Sequence, residues 1–246
     1  MEISQIMKIK SIKTSSFSKK IRNFKEIKLI IIHYTGMQSA RVAIKRLTEN
    51  KHKVSCHYFI DRNGEIIQIV ADNRIAWHAG KSKWGKLENL NKKSIGIELV
   101  NKGHKFGYQK FPKKQINALI QLCTKLKNRY KINDNLILGH SDIAPLRKSD
   151  PGEKFPWLKL KNKKIGIWHA SSQKNLLPKN FKKEDLRKIF FKNIYKIGYR
   201  YFSINKPSKN DIMVIKAFQR RFRQRKIDGI IDLECLKISI NLVKKH

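Results

Sequence analysis

The chain has 246 residues, and 40% of them are hydrophobic, so it can bury the core of one large domain or of a medium domain with a small second one. No apolar run approaches the about 20 residues that a membrane-spanning helix needs, which argues against a transmembrane protein. The formal net charge is +38, from 56 Lys and Arg against 18 Asp and Glu. Because these basic residues are spread along the whole chain, we expect no specific nucleic-acid interface. Attraction to an anionic polymer and compositional drift toward Lys explain the charge equally well.

Residues 1–24 are predicted to form a flexible N-terminal arm. They contain scattered Lys, Ser and Thr, and they lack the apolar segment of a secretory signal peptide. No cysteine that could carry a lipid anchor lies in this stretch. The N-terminal sequence therefore favours a cytoplasmic location.

Residues 25–160 alternate between strand-like and helix-like patterns, which predicts an α/β domain with a central mixed β-sheet flanked by helices. In chain order, the predicted elements are a strand over 27–32, a helix over 39–47, strands over 54–60, 65–70 and 95–100, a helix over 112–126 and a strand over 136–138. The strands on either side of residues 61–64 form a predicted hairpin, since Asn-Gly between two such strands is a strong turn signal.

Potential metal ligands follow two of these strands. His33 directly follows the first strand, and His140 follows the last one. The prolines after His140 argue against a regular helix, so we expect residues 140–150 to form a loop. Neutral imidazole and carboxylate are good zinc ligands, and His33, His140 and Asp150 could hold one Zn²⁺ at the sheet edge, with a fourth position for water. A histidine after a strand is often a hydrogen-bonded structural residue, and the sequence pattern leaves both interpretations open.

Six short motifs in this region occur together in a fixed order. They are His33-Tyr34-Thr35, Ser55–Ile60, Ala76–Gly80, Ser94–Leu99, Gly139–Pro145 and Lys148–Gly152. In this order they resemble the motifs of type 2 N-acetylmuramoyl-L-alanine amidases, the zinc family that includes peptidoglycan-recognition proteins and phage amidase lysozymes. The resemblance covers residues 25–160. It implies a zinc-dependent hydrolase that cleaves the bond between the lactyl group of N-acetylmuramic acid and L-alanine in peptidoglycan or its fragments.

The resemblance also assigns roles to individual residues. It makes His33, His140 and Asp150 the ligands of one zinc ion per chain. Glu98 lies inside an apolar strand, where a carboxylate needs either a partner or a function. The resemblance makes Glu98 the general base that accepts a proton from the attacking water, and a salt bridge in the core is the structural alternative.

Three further residues are expected to contact the substrate. The resemblance implies that Lys148 polarises the scissile carbonyl and stabilises the oxyanion, whereas composition alone would make it a solvated lysine. Tyr58 and His78 are weaker candidates for substrate binding. Tyr58 could equally be a core residue of a strand, and His78 a structural residue of a loop.

Residues 161–180 are rich in Lys and read as a linker to a second unit. Residues 181–246 show three helical patterns, and a unit of ~65 residues is close to the lower limit for independent folding, so we expect it to dock on the first domain. Phe218-Gln219 and Asp228-Gly229 resemble parts of a peptidoglycan-binding three-helix module, although Cys235 departs from that pattern. The predicted role of this tail is therefore wall binding, with a stabilising bundle as the alternative.

Two other function classes fit parts of the sequence. A non-catalytic peptidoglycan-binding receptor would be expected to lack a metal ligand, whereas this chain has all three. A basic nucleic-acid-binding protein is supported by charge alone.

The sequence leaves open whether the substrate is the intact wall or a recycled anhydro-muropeptide. The tail favours the bacterial envelope, periplasmic or secreted, while the N-terminal sequence favours the cytoplasm.

Overall fold

The computed structural model describes residues 7–170, 177 and 181–245, and this part of the chain contains ten strands and eight α-helices. The strands are β1 (Ile9–Ser11), β2 (Ser18–Ile21), β3 (Leu29–Tyr34), β4 (Tyr58–Ile60), β5 (Ile66–Gln68), β6 (Arg74–Ile75), β7 (Lys83–Trp84), β8 (Leu87–Glu88), β9 (Ser94–Leu99) and β10 (Ile137–Gly139). The helices are α1 (Ala40–Thr48), α2 (Leu90–Lys93), α3 (Lys113–Tyr130), α4 (His140–Ile143), α5 (Trp157–Lys161), α6 (Leu186–Ile197), α7 (Asp211–Phe222) and α8 (Leu233–Lys245).

Six strands form the central sheet, in the order β1-β5-β4-β9-β3-β10. Strand β3 pairs in parallel with both β9 and β10, whereas β4 and β5 are antiparallel and enclose the predicted turn. The sheet is therefore mixed and flanked by helices, which confirms the predicted fold class. Parallel pairing brings the carboxyl ends of β3, β9 and β10 to one edge of the sheet.

The side chains of β3 alternate between two apolar layers. Ile30 and Ile32 belong to the core that α3 completes, and Leu29 and Ile31 belong to a second core on the other face. Because both faces are covered, the strand is a continuous apolar run and does not alternate with polar residues. The same alternation places His33 on the face of Leu29 and Ile31.

The tail helices α6, α7 and α8 cover that second face. Their buried side chains share one core with Leu29 and Leu138 of the sheet, and the aromatic members are Phe190, Phe191, Tyr199, Phe218 and Phe222. Three helices and their docking on the first domain agree with the sequence prediction. The tail is thus a layer of the molecule, and its apolar side chains depend on the sheet for burial.

The N-terminal residues are more structured than a flexible arm. Strand β1 pairs in parallel with β5 at the edge of the central sheet, and β2 pairs with β6. Arg22, which follows β2, is buried. The expectation for residues 1–24 is therefore corrected for residues 7–24, because backbone pairing and a buried arginine were not visible in a polar, lysine-rich sequence. Residues 1–6 lie outside the described part.

Helix α4 replaces the start of the loop predicted over residues 140–150. The side chain of Asp142 accepts a hydrogen bond from the Gly139 amide at 2.8 Å and caps this single turn. Pro145 disfavours helix at the residue before it, so a turn that ends at Ile143 remains allowed. The prolines limit the length of the helix and do not prevent it.

Part of the predicted linker, residues 171–176 and 178–180, lies outside the described residues. Ile165 and Ile167, which precede this gap, are buried. Within residues 7–170, 177 and 181–245, no helix combines the length and the apolar character needed to cross a bilayer.

Candidate active site

Three side chains from separate elements meet at the carboxyl ends of β3 and β10. The Nδ1 atoms of His33 and His140 lie 2.9 Å apart, and each is 3.1 Å from Oδ2 of Asp150. All three side chains are buried. Among the described residues, this is the group whose atoms could together hold a metal ion. Two imidazoles and a carboxylate are a donor set that zinc uses in catalytic sites.

The hydrogen bond on the far side of His140 fixes which ring nitrogen faces the cluster. Its Nε2 lies 3.2 Å from the carbonyl oxygen of Ala79, and a carbonyl can only accept. The guanidinium nitrogen Nη2 of Arg147, a donor, is farther from Nε2 at 3.4 Å. The shorter contact therefore favours a hydrogen on Nε2, and Nδ1 then presents a lone pair toward Asp150. A metal ligand needs this tautomer.

His33 reaches the same tautomer through His78. The Nε2 atom of His33 is 3.0 Å from Nδ1 of His78, and Nε2 of His78 is 3.3 Å from the hydroxyl of Ser94. Because Ser94 donates its hydrogen to the carbonyl of Leu90, its oxygen accepts from His78. His78 Nδ1 is then an acceptor, His33 Nε2 is a donor, and His33 Nδ1 is free to bind a metal ion.

The protonation states also suit a metal site. Burial, and then the charge of His140, lower the pKa of His33 to about 4, so this ring is neutral at pH 7. Burial opposes the ionisation of Asp150, but the adjacent His140 and His33 side chains outweigh it and hold the pKa of Asp150 below its usual range. The cluster therefore offers a neutral His33 ring and an ionised Asp150 carboxylate, which are the forms that bind metal ions.

Glu98 is the second carboxylate in the cleft, beside Asp150. It lies directly beside His33 in the β3–β9 register. Its carboxylate is buried, and Oε2 has no hydrogen-bond partner among the described residues. Burial, and then the negative charge of Asp150, raise the pKa of Glu98 to about 8. A carboxyl group that titrates close to neutral pH can both accept and return a proton.

The cluster opens into a cleft of about 540 Å³. Lys148 lines this cleft together with His33, Glu98, His140 and Asp150. The structure thus brings together all five residues that the sequence analysis assigned to metal binding and chemistry. Their individual roles stay predictions.

The cleft is basic apart from the two carboxylates at its base. Arg46, Lys105 and Arg147 line it in addition to Lys148, and Lys53 lines an adjoining pocket of about 380 Å³ beside Trp77. No further Asp or Glu among the described residues lines either pocket. This charge distribution favours ligands that carry carboxylates.

The two weaker candidates for substrate binding have different positions. His78 lines the cleft, and it also supports His33 from behind. The structure does not bring Tyr58 to the cleft. Its hydroxyl is buried and donates to Asp72 at 2.8 Å, on the side of the sheet that faces α3.

Sequence reasoning missed Arg147, which precedes Lys148. Its guanidinium donates to the carbonyls of Ala79 and Lys81 and thereby joins the two loops around His140. Gly80 makes this contact possible, because a Cβ at Gly80 would lie 2.9 Å from Nη2 of Arg147. The available signal was the position of Arg147 directly before the motif Lys148–Gly152.

Comparison with known proteins identifies the family. The family model for N-acetylmuramoyl-L-alanine amidase matches residues 23–153, more than half of the chain. The chain belongs to this amidase family. The match includes every residue of the metal cluster, and it confirms the family and the reaction class predicted from the order of the motifs.

Two relatives, AmiD and AmpDh3, are similar to this amidase over a longer part of the chain than residues 23–153. The N-acetylmuramoyl-L-alanine amidase AmiD of Escherichia coli is 33% identical over 238 residues, which cover 91% of this chain and 84% of AmiD. The crystal structure of AmpDh3 from Pseudomonas aeruginosa superimposes with a TM-score of 0.80 at 30% identity and covers 96% of this chain and 98% of AmpDh3. A structure of E. coli AmiD in complex with the substrate anhydro-N-acetylmuramic acid-L-Ala-D-γ-Glu-L-Lys gives a TM-score of 0.77 at 32% identity and covers 93% and 92% of the two chains.

A further likeness covers less than half of this amidase. The 1,6-anhydro-N-acetylmuramyl-L-alanine amidase AmpD of Haemophilus influenzae is 42% identical over 106 residues, which are 43% of this amidase and 55% of AmpD. The likeness to AmiD and AmpDh3, by contrast, includes the tail.

Proposed function

We propose that the amidase uses one zinc ion, held by His33, His140 and Asp150, to cleave the bond between N-acetylmuramoyl and L-alanine in muropeptides. The observation that carries this proposal is the convergence of two Nδ1 atoms and one carboxylate oxygen, 2.9 to 3.1 Å apart. The Nε2 atom of each ring is hydrogen-bonded to a group of the neighbouring loop, which leaves Nδ1 free to bind a metal ion. The neutral His33 ring and the ionised Asp150 carboxylate also suit a metal ion.

The other residues of the cleft supply proton transfer and charge. Zinc held in this cluster would act as a Lewis acid on the scissile carbonyl and assist ionisation of the attacking water. Glu98 accepts a proton from that water at its carboxylate and returns it to the leaving nitrogen of L-alanine. The ammonium of Lys148 stabilises the oxyanion that develops on the carbonyl oxygen.

The charge of the cleft supports a substrate with an acidic peptide. Four basic side chains line the cleft, namely Arg46, Lys105, Arg147 and Lys148. The peptide in the AmiD complex contains a γ-linked glutamate, whose free carboxylate is the kind of group that such a rim attracts. We therefore infer that soluble anhydro-muropeptides are substrates and that intact peptidoglycan is a second one.

The envelope is the proposed place of action. It is supported by the tail, parts of which resemble a wall-binding module, and it is compatible with the net charge of +38, which an anionic polymer would attract. Fractionation of cells that produce the full chain tests this proposal. Recovery of the protein only with the cytoplasmic fraction would contradict it and favour recycled fragments as the substrate.

The function is tested with purified protein, a soluble anhydro-muropeptide and intact sacculi. We expect mass spectrometry to detect free peptides that begin with L-alanine from both substrates. We expect one equivalent of zinc in protein purified without added metal, loss of activity on chelation and recovery on addition of zinc. A preparation without metal that keeps full activity would refute the zinc proposal.

A further inference from the structure

A single amide side chain outside the cleft holds the loop that supports both metal-binding histidines. His33 and His140 have their outer hydrogen-bond partners in one loop, at His78 and at the carbonyl of Ala79. The backbone amides of these same two loop residues donate to Oδ1 of Asn91, at 3.0 and 2.7 Å. One oxygen of Asn91 therefore fixes the position of both outer partners.

The strand that follows Asn91 makes further contacts with this loop. Ser94 binds the ring of His78 through its hydroxyl. Gly96 lets that ring lie against strand β9, since a Cβ at Gly96 would lie 2.4 Å from the ring of His78. The ring of His78 is thus confined between β9 and His33.

Helix α2, which carries Asn91, has little structure of its own. It is four residues long, and the residue before it, Asn89, has a positive φ and provides no side-chain cap. A single turn of helix is not stable without support from outside. The carbonyls of this turn must therefore be held by another part of the chain.

Arg22 supplies that support from the N-terminal segment. Its Nη1 lies 3.3 Å from the carbonyl oxygen of Asn91, 3.0 Å from that of Lys92 and 2.6 Å from that of Ser94. Its Nε donates to the carbonyl of Asp72 at 2.8 Å. The side chain is buried, and it lies one residue before the stretch matched by the family model.

The geometry points to Asn91 and Arg22 as positioning residues of the metal site. Arg22 holds the α2 turn, Asn91 in that turn holds residues 78 and 79, and these in turn orient His33 and His140. The inference rests on the metal site proposed above and adds two residues to it, one of them outside the matched domain. Loss of an outer partner of a metal ligand typically weakens metal binding by about 10- to 100-fold.

Three variants of the full chain and two matched controls test this assignment. Asn91→Leu removes the accepting oxygen at similar size, and Asn91→Asp keeps an oxygen in its place. Arg22→Met removes the guanidinium. The matched controls are Asn193→Leu and Arg223→Met, since both residues are buried in the tail and hydrogen-bonded to groups of the tail.

Zinc affinity is measured by competition with a chromogenic chelator, and ligand geometry by the absorption spectrum of the Co²⁺-substituted protein. Asn91→Leu and Arg22→Met should weaken zinc binding by about 10- to 100-fold and change the Co²⁺ spectrum. Asn91→Asp should keep the native zinc affinity and the native Co²⁺ spectrum. The two controls should lower the unfolding midpoint and leave zinc affinity and spectrum unchanged.

Native zinc affinity and an unchanged Co²⁺ spectrum in Asn91→Leu would overturn the inference. If Asn91→Leu does not fold, Asn91→Ser, whose hydroxyl is too short to reach both amides, is measured by the same criteria. Because these readouts do not use turnover, they separate this inference from the proposed function, which fails instead when native protein releases no peptide. Absence of zinc binding by the native protein would overturn both.

Discussion

Glu98 in the cleft and Asp142 beneath the tail are both buried carboxylates, but their hydrogen bonding differs. Oε2 of Glu98 has no hydrogen-bond partner among the described residues. The carboxylate of Asp142 accepts from the amide of Gly139, from the hydroxyl of Tyr199 and from the guanidinium of Arg221. An unpaired buried carboxylate is costly, and such groups are more typical of functional sites than of the core, which agrees with the role proposed for Glu98.

The carboxylate of Asp142 stabilises local structure next to His140 of the cleft. Asp142 caps the turn that begins with His140, and two of its donors come from the tail. Arg221 also donates to the carbonyl of Ile137 in β10. The tail therefore supports the end of β10, next to His140 of the candidate metal cluster.

The largest expected effect follows from removal of the tail. Deletion of residues 181–246 exposes the core face of Leu29, Ile31 and Leu138 and removes two donors from Asp142. We expect loss of cooperative unfolding and a similar loss of rate on sacculi and on soluble muropeptide. The sequence alone favoured a tethered binding module, for which the loss would be far larger on the insoluble wall than on the soluble muropeptide. Calorimetry and the two rates, measured in parallel, distinguish these outcomes.

Glu98→Gln tests the unpaired carboxylate. We expect kcat to fall by about 10²- to 10⁴-fold, because the base that accepts and returns the proton is lost. Zinc content should stay at one equivalent, since Glu98 is assigned no ligand role. A rate within a few-fold of the native enzyme would assign the base to another group, and loss of zinc would make Glu98 a ligand.

Arg221→Met tests the paired carboxylate. Breaking a buried ion pair leaves an uncompensated charge, so the free energy of unfolding should fall by about 3–5 kcal/mol. Denaturant titration measures this loss. The double variant with Asp142→Asn should lose less than the sum of the two single variants, because the two side chains are in contact. Additive losses would mean that the pair contributes no coupling.

The smallest expected effect concerns pH. Burial raises the pKa of Glu98 in the folded, metal-free protein to about 8, from an ordinary value of 4.5. A carboxyl group with a raised pKa stabilises the fold fully below its unfolded pKa, and this contribution is lost as the pH rises through 8. Metal-free Glu98→Gln should therefore be more stable than metal-free native protein by about 4 kcal/mol at pH 8.

The same comparison at pH 4.5 serves as the control, since the carboxyl is then protonated in the folded protein. Thermal or denaturant unfolding of both proteins at the two values of pH gives the difference. An equal stability gap at pH 4.5 and pH 8 would show that the effect of the substitution does not come from titration of Glu98.

The sequence predicted the sheet and the residues of the cleft for a local reason. Apolar strands that end in His33 and near His140 were visible in the pattern, and parallel strands bring their carboxyl ends to one edge. The order of six motifs added Glu98 and Lys148, which line the same cleft. Tyr58 was placed there by its motif, yet its side chain lies with the core under α3.

Only the tertiary structure decided which segments far apart in the chain are in contact. The apolar run of β3 shows that both faces are buried, but it does not reveal that the tail covers one of them. Asn91, Arg22 and Arg147 act through backbone carbonyls and amides, which every residue has and which leave no pattern in a sequence. The residues that can bind a metal ion were therefore determined by sequence, and the groups that orient them were decided by the path of the folded chain.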